Sequence, residues 1–294
     1  MFESNVGPRS HIFLVIGITP ISITPTSITP TSITPVVTVT CNGNVFTDVH
    51  AIFLDKDGTL ANVAAYLSQL GHTQAQLMER QLPNTHDLTL RALGFNDGEL
   101  SAAGLLAVGS RQETIMGIAT VAAMVGYPWV QAMELARATL RTADQQYSPK
   151  AVYTPLLPGA LAFLKRLKQA KLKVIMVSAD SQDNLETFVQ HHHLTAYFDK
   201  LQGVSSQNPS KLSADFLPNA CQTVKLSPSQ GLVIGDSASD LRMAESARGF
   251  IGYLGGWHPT LSESDILGKD GGADHSDRLL AHGFATDFSQ IGLE

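Results

Sequence analysis

The chain has 294 residues, long enough for a full hydrophobic core and more than one domain. It is 44% hydrophobic and 16% charged with a formal net charge of −6, a globular composition without the basic surface that nucleic acid or an anionic membrane would require. Two cysteines, Cys41 and Cys221, stand far apart and outside any motif, which excludes a disulfide framework or a cysteine zinc site and suits a reducing cytoplasm.

The first apolar run, IFLVIGI at 12–18, is only seven residues long. A membrane span needs about 20. Only Arg9 precedes the run, whereas a secretory leader has a basic start, so export is not expected. Residues 19–35 read TPISITPTSITPTSITP, with proline returning every five residues. Proline blocks both helix and central-strand hydrogen bonding, so residues 1–47 are expected to form a low-complexity, disordered extension.

From residue 48 the texture changes. AIFL at 51–54, VIMVS at 174–178 and GLVIGD at 231–236 read as short buried strands, with GFIGYL at 249–254 a weaker fourth. Amphipathic helical segments at 159–170, 181–192 and 237–247 lie between them. Strands alternating with helices predict an α/β fold, a Rossmann-like parallel sheet covered on both faces. Residues 62–150 show helical spacing broken by Gly and Pro and no convincing strand. They predict an all-helical insertion between two parts of the core, 48–61 and 151–294.

Three predicted strands end in polar residues: Asp55, Ser178 and Asp236. Chemistry in an open parallel sheet sits at the C-terminal ends of its strands. One such residue could be a helix cap, but three in one sheet predict convergence on a pocket. Asp57 follows Asp55 closely, and Asp240 follows Asp236 at i, i+4 spacing. Four carboxylates around one point repel unless a cation joins them, and an all-oxygen donor set suits Mg²⁺. Strand alternation would turn Lys56 away from its neighbours, toward solvent or the insertion. The triple histidine at 191–193 falls at a helix C-terminus, where the helix dipole accounts for it without a metal.

DKDGTL, VSAD, a lysine within NPSKLSADFL, and GDSASD stand in an order that resembles the four motifs of the haloacid dehalogenase superfamily, in its phosphoglycolate phosphatase-like branch. The insertion resembles that family's helical cap. The resemblance implies an Mg²⁺-dependent phosphatase acting on a small phosphate monoester, phosphoglycolate-like or a sugar phosphate. It implies Asp55 as nucleophile, Asp57 as acid–base, and Lys211 as the cation offsetting negative charge. Thr59 and Ser178 would hydrogen-bond phosphoryl oxygens. Asp55, the backbone carbonyl of Asp57, and Asp236 would hold the metal, with Asp240 supporting the metal or Lys211. Arg111 in the cap could meet a substrate carboxylate or sugar hydroxyls. A small phosphorylated metabolite is the expected partner, with no nucleic acid and no membrane, and the chain is expected to be a monomer or homodimer.

Neighbouring readings fare worse. Asp-Lys-Asp-Gly-Thr is similar to the Asp-Lys-Thr-Gly-Thr loop of P-type ion pumps, but the chain lacks a membrane span and position 57 is acidic. The same Asp57 argues against true 2-haloacid dehalogenases. Phosphonate cleavage would want a cap lysine, and residues 62–149 contain none. A β-phosphoglucomutase-like phosphotransferase and a catalytically weak binding module remain alternatives. The third motif departs from the usual Gly-Lys-Pro, because Lys211 follows Pro209-Ser210 and precedes Leu212.

Overall fold

The computed structural model describes residues 36–205, 210–259, 261–268 and 282–294. The apolar run at 12–18 and the proline-rich tract at 19–35 lie outside the described residues.

The first strands come earlier than the sequence suggests. β1 (Val37–Cys41) and β2 (Asn44–Val49) form an antiparallel hairpin, and β1 also pairs with β11 (Ile291–Leu293) in a three-stranded sheet. The expected extension therefore reaches too far, since residues 37–47 belong to the fold. In VTVTC every second side chain is buried, a half-buried strand's period of two. The chain's last residues supply its partner, with Val39 opposite Leu293 and Cys41 opposite Ile291.

β3 (Ala51–Asp55) follows and is buried throughout. It is the centre of a six-stranded sheet ordered β10-β9-β8-β3-β6-β7, comprising β6 (Lys173–Ser181), β7 (Lys200–Val204), β8 (Gly231–Gly235), β9 (Gly249–Tyr253) and β10 (His282–Ala285). Every neighbouring pair is parallel. Near-continuous apolar runs suit strands covered on both faces. Alternation divides them cleanly. Ile52, Leu54, Val174, Met176, Leu232 and Ile234 join one core, whereas Ala51, Phe53, Ile175, Val177 and Val233 join the other.

Between β3 and β6 the chain forms α1 (Ala64–Gln81), α2 (His86–Leu93), α3 (Leu105–Val108), α4 (Arg111–Met124) and α5 (Trp129–Gln146). This cap is not purely helical: β4 (Phe95–Asn96) and β5 (Glu99–Leu100) make a two-residue hairpin around Asp97-Gly98, both at positive φ. The stretch 98–109, expected to be helical, yields only the single turn of α3. α4 starts at a capping box, where Ser110 Oγ accepts from the Glu113 amide and Glu113 Oε2 from the Ser110 amide. Its buried Ile115, Ile118, Ala119 and Ala122 and the buried Ala132, Ala136 and Ala143 of α5 let the two helices approach closely. The two strands of chain joining cap to core run side by side. The Asn62 amide donates to Pro155 carbonyl at 2.8 Å and the Leu157 amide to Leu60 carbonyl at 2.8 Å.

The core resumes with α6 (Ala160–Gln169), then α7 (Gln182–His191), α8 (Phe216–Gln222), α9 (Ala238–Met243) and α10 (Glu263–Leu267) between successive strands. Strand–helix–strand crossovers of this kind place all strand C-termini at one edge, facing the cap.

Candidate active site

Asp55 ends β3, and Asp236 follows β8 directly, the neighbouring strand. One turn on, Asp240 lies in α9. Ligand oxygens of these three carboxylates all fall within 4.8 Å of one another. Lys211 Nζ lies 2.5 Å from Asp55 Oδ1 and 2.5 Å from Asp240 Oδ1. The other oxygen of Asp240 accepts from the Ser237 amide and hydroxyl, which caps α9 and fixes the carboxylate.

Among the described residues, three clustered carboxylates therefore have one ammonium beside them, paired with Asp55 and Asp240. Burial, and then the repulsion of Asp240, pushes Asp55 up to about 7 despite Lys211. Burial followed by repulsion from Asp55 and Asp240 holds Asp236 well above the usual carboxylate range. The same neighbours hold Lys211 above its ordinary value even though burial opposes its charge. The cluster is short of positive charge and consists of oxygen donors, so it fits a hard divalent cation. Gly58 makes the assembly sterically feasible. It sits at φ +86°, and a Cβ there would lie 1.8 Å from Asp236 Oδ2.

Asp57 takes a different environment. Lys56 Nζ donates to its Oδ1 at 2.5 Å and Lys150 Nζ to its Oδ2 at 2.7 Å. Both lysines also reach Asp180 Oδ2, at 3.1 and 2.7 Å. Burial would raise Asp57, but Lys150 and then Lys56 outweigh it and hold the carboxyl below its usual value. Asp180 is depressed in the same way, with Asn184 Nδ2 adding a hydrogen bond at 2.7 Å. Both clusters open on a cavity of about 500 Å³ beneath the cap, whose wall includes Asp55, Asp57, Ser178, Lys211 and Asp236.

A family model of haloacid dehalogenase-like hydrolases matches residues 49–248, about two thirds of the chain. The chain belongs to this family. A protein named as a predicted phosphoglycolate phosphatase, from Haemophilus somnus 129PT, superposes with a TM-score of 0.56 at 16% identity, covering 83% of this chain and 96% of its own. A predicted phosphatase from Clostridium acetobutylicum gives 0.54 at 18% identity, covering 82% and 97%. A Thermotoga maritima protein assigned as a β-phosphoglucomutase gives 0.51 at 16%, covering 76% and 92%. At such identities the likeness is one of fold. In sequence, a protein assigned as the pyrophosphatase PpaX of Caldanaerobacter subterraneus subsp. tengcongensis is 26% identical over 114 residues, 39% of this chain. The match spans about half (51%) of that relative's length.

Within this haloacid dehalogenase-like site, Asp55, Asp236, Asp240, Lys211, Asp57 and Ser178 come from four separate segments of sequence. Ser178 Oγ accepts from the Asp180 amide at 3.1 Å. Arg111 also reaches the cavity wall, but its guanidinium lies 2.5 Å from Asp144 Oδ2. Three expectations change. The Asp57 carboxylate is not part of the acidic cluster, because the two lysines draw it away, which leaves only its backbone carbonyl as an expected ligand. Thr59 does not reach the cavity. It is fully buried in the turn after Gly58, its hydroxyl without a hydrogen-bond partner among the described residues. Lys56 is neither solvated nor cap-facing: it is 1% exposed, with Nζ 5.1 Å from the centre of the Phe188 ring. Strand alternation fails there because the chain leaves the sheet at Asp55 and turns at Gly58.

Two residues of the site escaped the sequence. Lys150 begins the short helix (Lys150–Tyr153) that returns the chain from cap to core, and Asp180 lies just beyond Ser178 on β6. Asp180 carried a signal in VSAD, a second acid beside an expected phosphate ligand. Lys150 carried almost none, since a single lysine after a proline-flanked turn is ordinary. Only the tertiary fold brings it to Asp57, 93 residues away.

Proposed function

We propose that the protein is an Mg²⁺-dependent phosphatase that hydrolyses a small phosphate monoester through an aspartyl-phosphate. The observation that supports this most directly is the buried triad of Asp55, Asp236 and Asp240, matched by a single lysine, at the sheet edge beneath a cap. Asp55, Asp236 and the Asp57 carbonyl would hold Mg²⁺, with Asp240 anchoring Lys211 beside them. When bound, the ion would neutralise charge on the carboxylates and phosphoryl oxygens.

The chain's own groups then have defined tasks. An Asp55 oxygen attacks phosphorus, and the P–O bond to the alcohol breaks. Asp57, a carboxylate in the free protein, takes up the proton of the bound monoester's monoanion, passes it to the departing oxygen and returns to a carboxylate. Lys56 and Lys150 stabilise that anion, so they favour completion of the proton transfer. Asp57 next takes a proton from the water that attacks the acyl phosphate, releasing inorganic phosphate and restoring Asp55. Lys211 and Ser178 face the same cavity and would position the phosphoryl oxygens. The cap covers the site, limiting water and bulky substrates.

The decisive experiment measures inorganic phosphate release from a panel of phosphorylated metabolites with Mg²⁺ and with EDTA. Release that EDTA abolishes is expected. Transfer of phosphate to a second sugar phosphate instead of water would favour the mutase reading. Binding without turnover across the panel would favour a non-catalytic module.

A further inference from the structure

Asp180 is an acid whose two oxygens have separate sets of partners. Oδ1 accepts from Asn184 Nδ2 at 2.7 Å and from the Ser181 amide at 3.0 Å. Both donors belong to the start of α7, where Ser181 is the N-cap and its Oγ accepts from the Asn184 amide at 3.3 Å. A negative charge is favoured at that end of a helix. Oδ2 instead meets two ammonium groups, Lys56 Nζ at 3.1 Å and Lys150 Nζ at 2.7 Å. The pairing of β6 with β7 shifts register between Val177 and Ser181, so the stretch that carries Asp180 bends out of the regular ladder.

The same two lysines take one oxygen each of Asp57, Lys56 at Oδ1 and Lys150 at Oδ2. One comes from the loop after β3 and the other from the return segment of the cap, and Asp180 is a second acid common to both. A lysine is a point charge on a flexible stem, without the fork that gives arginine a direction. A carboxylate pinned at the start of a helix fixes where each ammonium lies. Charge gives a second reason. Two lysines facing Asp57 alone would hold its carboxylate between them, whereas with Asp180 sharing them the charges balance. Asp57, Lys150 and Asp180 line the cavity, and Lys56 is buried beside them.

We infer that Asp180 is a positioning residue for Asp57 that acts through Lys56 and Lys150: it sets both ammonium groups against the two oxygens of Asp57 and shares their charge, so that the Asp57 carboxylate is aligned but still able to serve the departing oxygen. This rests on the phosphatase reading for the task of Asp57 and adds to it an acid that works only through the two lysines.

The test measures kcat and KM with Mg²⁺ for two esters. One is the alkyl phosphate hydrolysed fastest in the metabolite panel, whose departing oxygen needs a proton. The other is p-nitrophenyl phosphate, whose departing oxygen does not. Asp180→Asn keeps the backbone and the shape of the side chain, so the bond from its amide to Ser178 stays. Its kcat on the alkyl ester is expected to fall about tenfold to 10²-fold, the order of effect of a displaced catalytic group, with KM kept within about twofold. Its kcat on p-nitrophenyl phosphate should stay within about threefold of wild type, because no proton is needed there. The double variant of Asp57→Asn with Asp180→Asn should be no slower than Asp57→Asn alone, since a residue that acts through Asp57 adds nothing once Asp57 is gone. Asn184→Ala withdraws one bond from Oδ1 and leaves every charge in place. It should repeat the ester-selective loss at about twofold to fivefold, as for one hydrogen bond, and it carries the test if Asp180→Asn does not fold. Equal losses on the two esters overturn the inference, as do wild-type kinetics in Asp180→Asn or further slowing in the double variant. Ester-selective loss in Asp57→Asn without it in Asp180→Asn retains the phosphatase reading and overturns this inference alone. Wild-type protein that releases phosphate from no alkyl ester overturns both.

Discussion

Two clusters of aspartate and lysine border the same cavity and balance their charges differently. Around Asp57 and Asp180 stand two carboxylates and two lysines, and both acids are held below their usual range. Around Asp55 stand three carboxylates and one lysine, and Asp55 and Asp236 are pushed upward. The first set is complete as the chain folds. The second is incomplete and calls for a further cation. Burial opposes charge in both, so the number of lysines in reach decides the direction. On the proposed phosphatase reading, the difference would separate a part that manages a proton from a part that holds an ion and a phosphoryl group.

The largest way to break this division is to remove the proposed nucleophile. Asp55→Asn keeps the shape and lessens the charge crowding, so the protein should fold while phosphate release falls to background. Wild-type rates in that variant would falsify the assignment. Asp57→Asn should be milder, because the acidic cluster and Lys211 remain. Proton transfer by a positioned side chain typically contributes about 10²–10⁴-fold, and a kcat loss of that order with substrate affinity kept is expected. The deficit should be larger for alkyl esters than for p-nitrophenyl phosphate, whose leaving group needs no proton. Equal losses on both would move Asp57 out of the acid role.

The division was half legible in the sequence. Each acid of the incomplete cluster follows an apolar strand or opens the next helix, so parallel-strand logic brings Asp55, Asp236 and Asp240 together without coordinates. The balanced cluster was harder to read. Lys56 looked outward-facing, because period-two alternation was extended one residue past the end of β3. Lys150 and Asp180 come from the cap's return segment and from β6, and no local pattern links them. β1 was hidden for a similar reason. Its alternation is clear, but it follows a proline tract, and the partner β11 lies at the far end of the chain.

A smaller effect distinguishes structural from chemical roles in the balanced cluster. Lys56 is buried and contacts both carboxylates. Lys56→Met would leave Lys150 alone to balance two acids. Breaking a buried ion pair costs about 3–5 kcal/mol, which a denaturant titration should read as a lower midpoint. Lys150→Met should cost less, because Lys150 is 17% exposed and water can reach the vacated position. Equal losses would mean that burial does not set the energetics here.

The smallest effect, and the sharpest contrast between the clusters, is the pH dependence of stability. Asp55 titrates near 7 in the folded protein without a divalent ion, against about 4 when unfolded. Between those values the folded state binds more protons than the unfolded state, so stability falls as pH rises through the window. Asp236 is shifted in the same direction and adds to the fall. Asp57 and Asp180 carry the opposite sign: their contribution is present above about pH 4 and is lost as acid protonates them. Under the proposed assignment, Mg²⁺ would compete with protons for the Asp55 cluster alone. Its stabilisation should be slight at pH 5 and grow toward pH 7.5, where a concentration 100 times Kd gives about 2.7 kcal/mol. In a chain of this size that is several degrees in Tm, at about 2–4 °C per kcal/mol. Scanning calorimetry at several pH values with and without Mg²⁺ reads it directly. A shift that is as large at pH 5 as at pH 7.5 would place the ion away from these carboxylates.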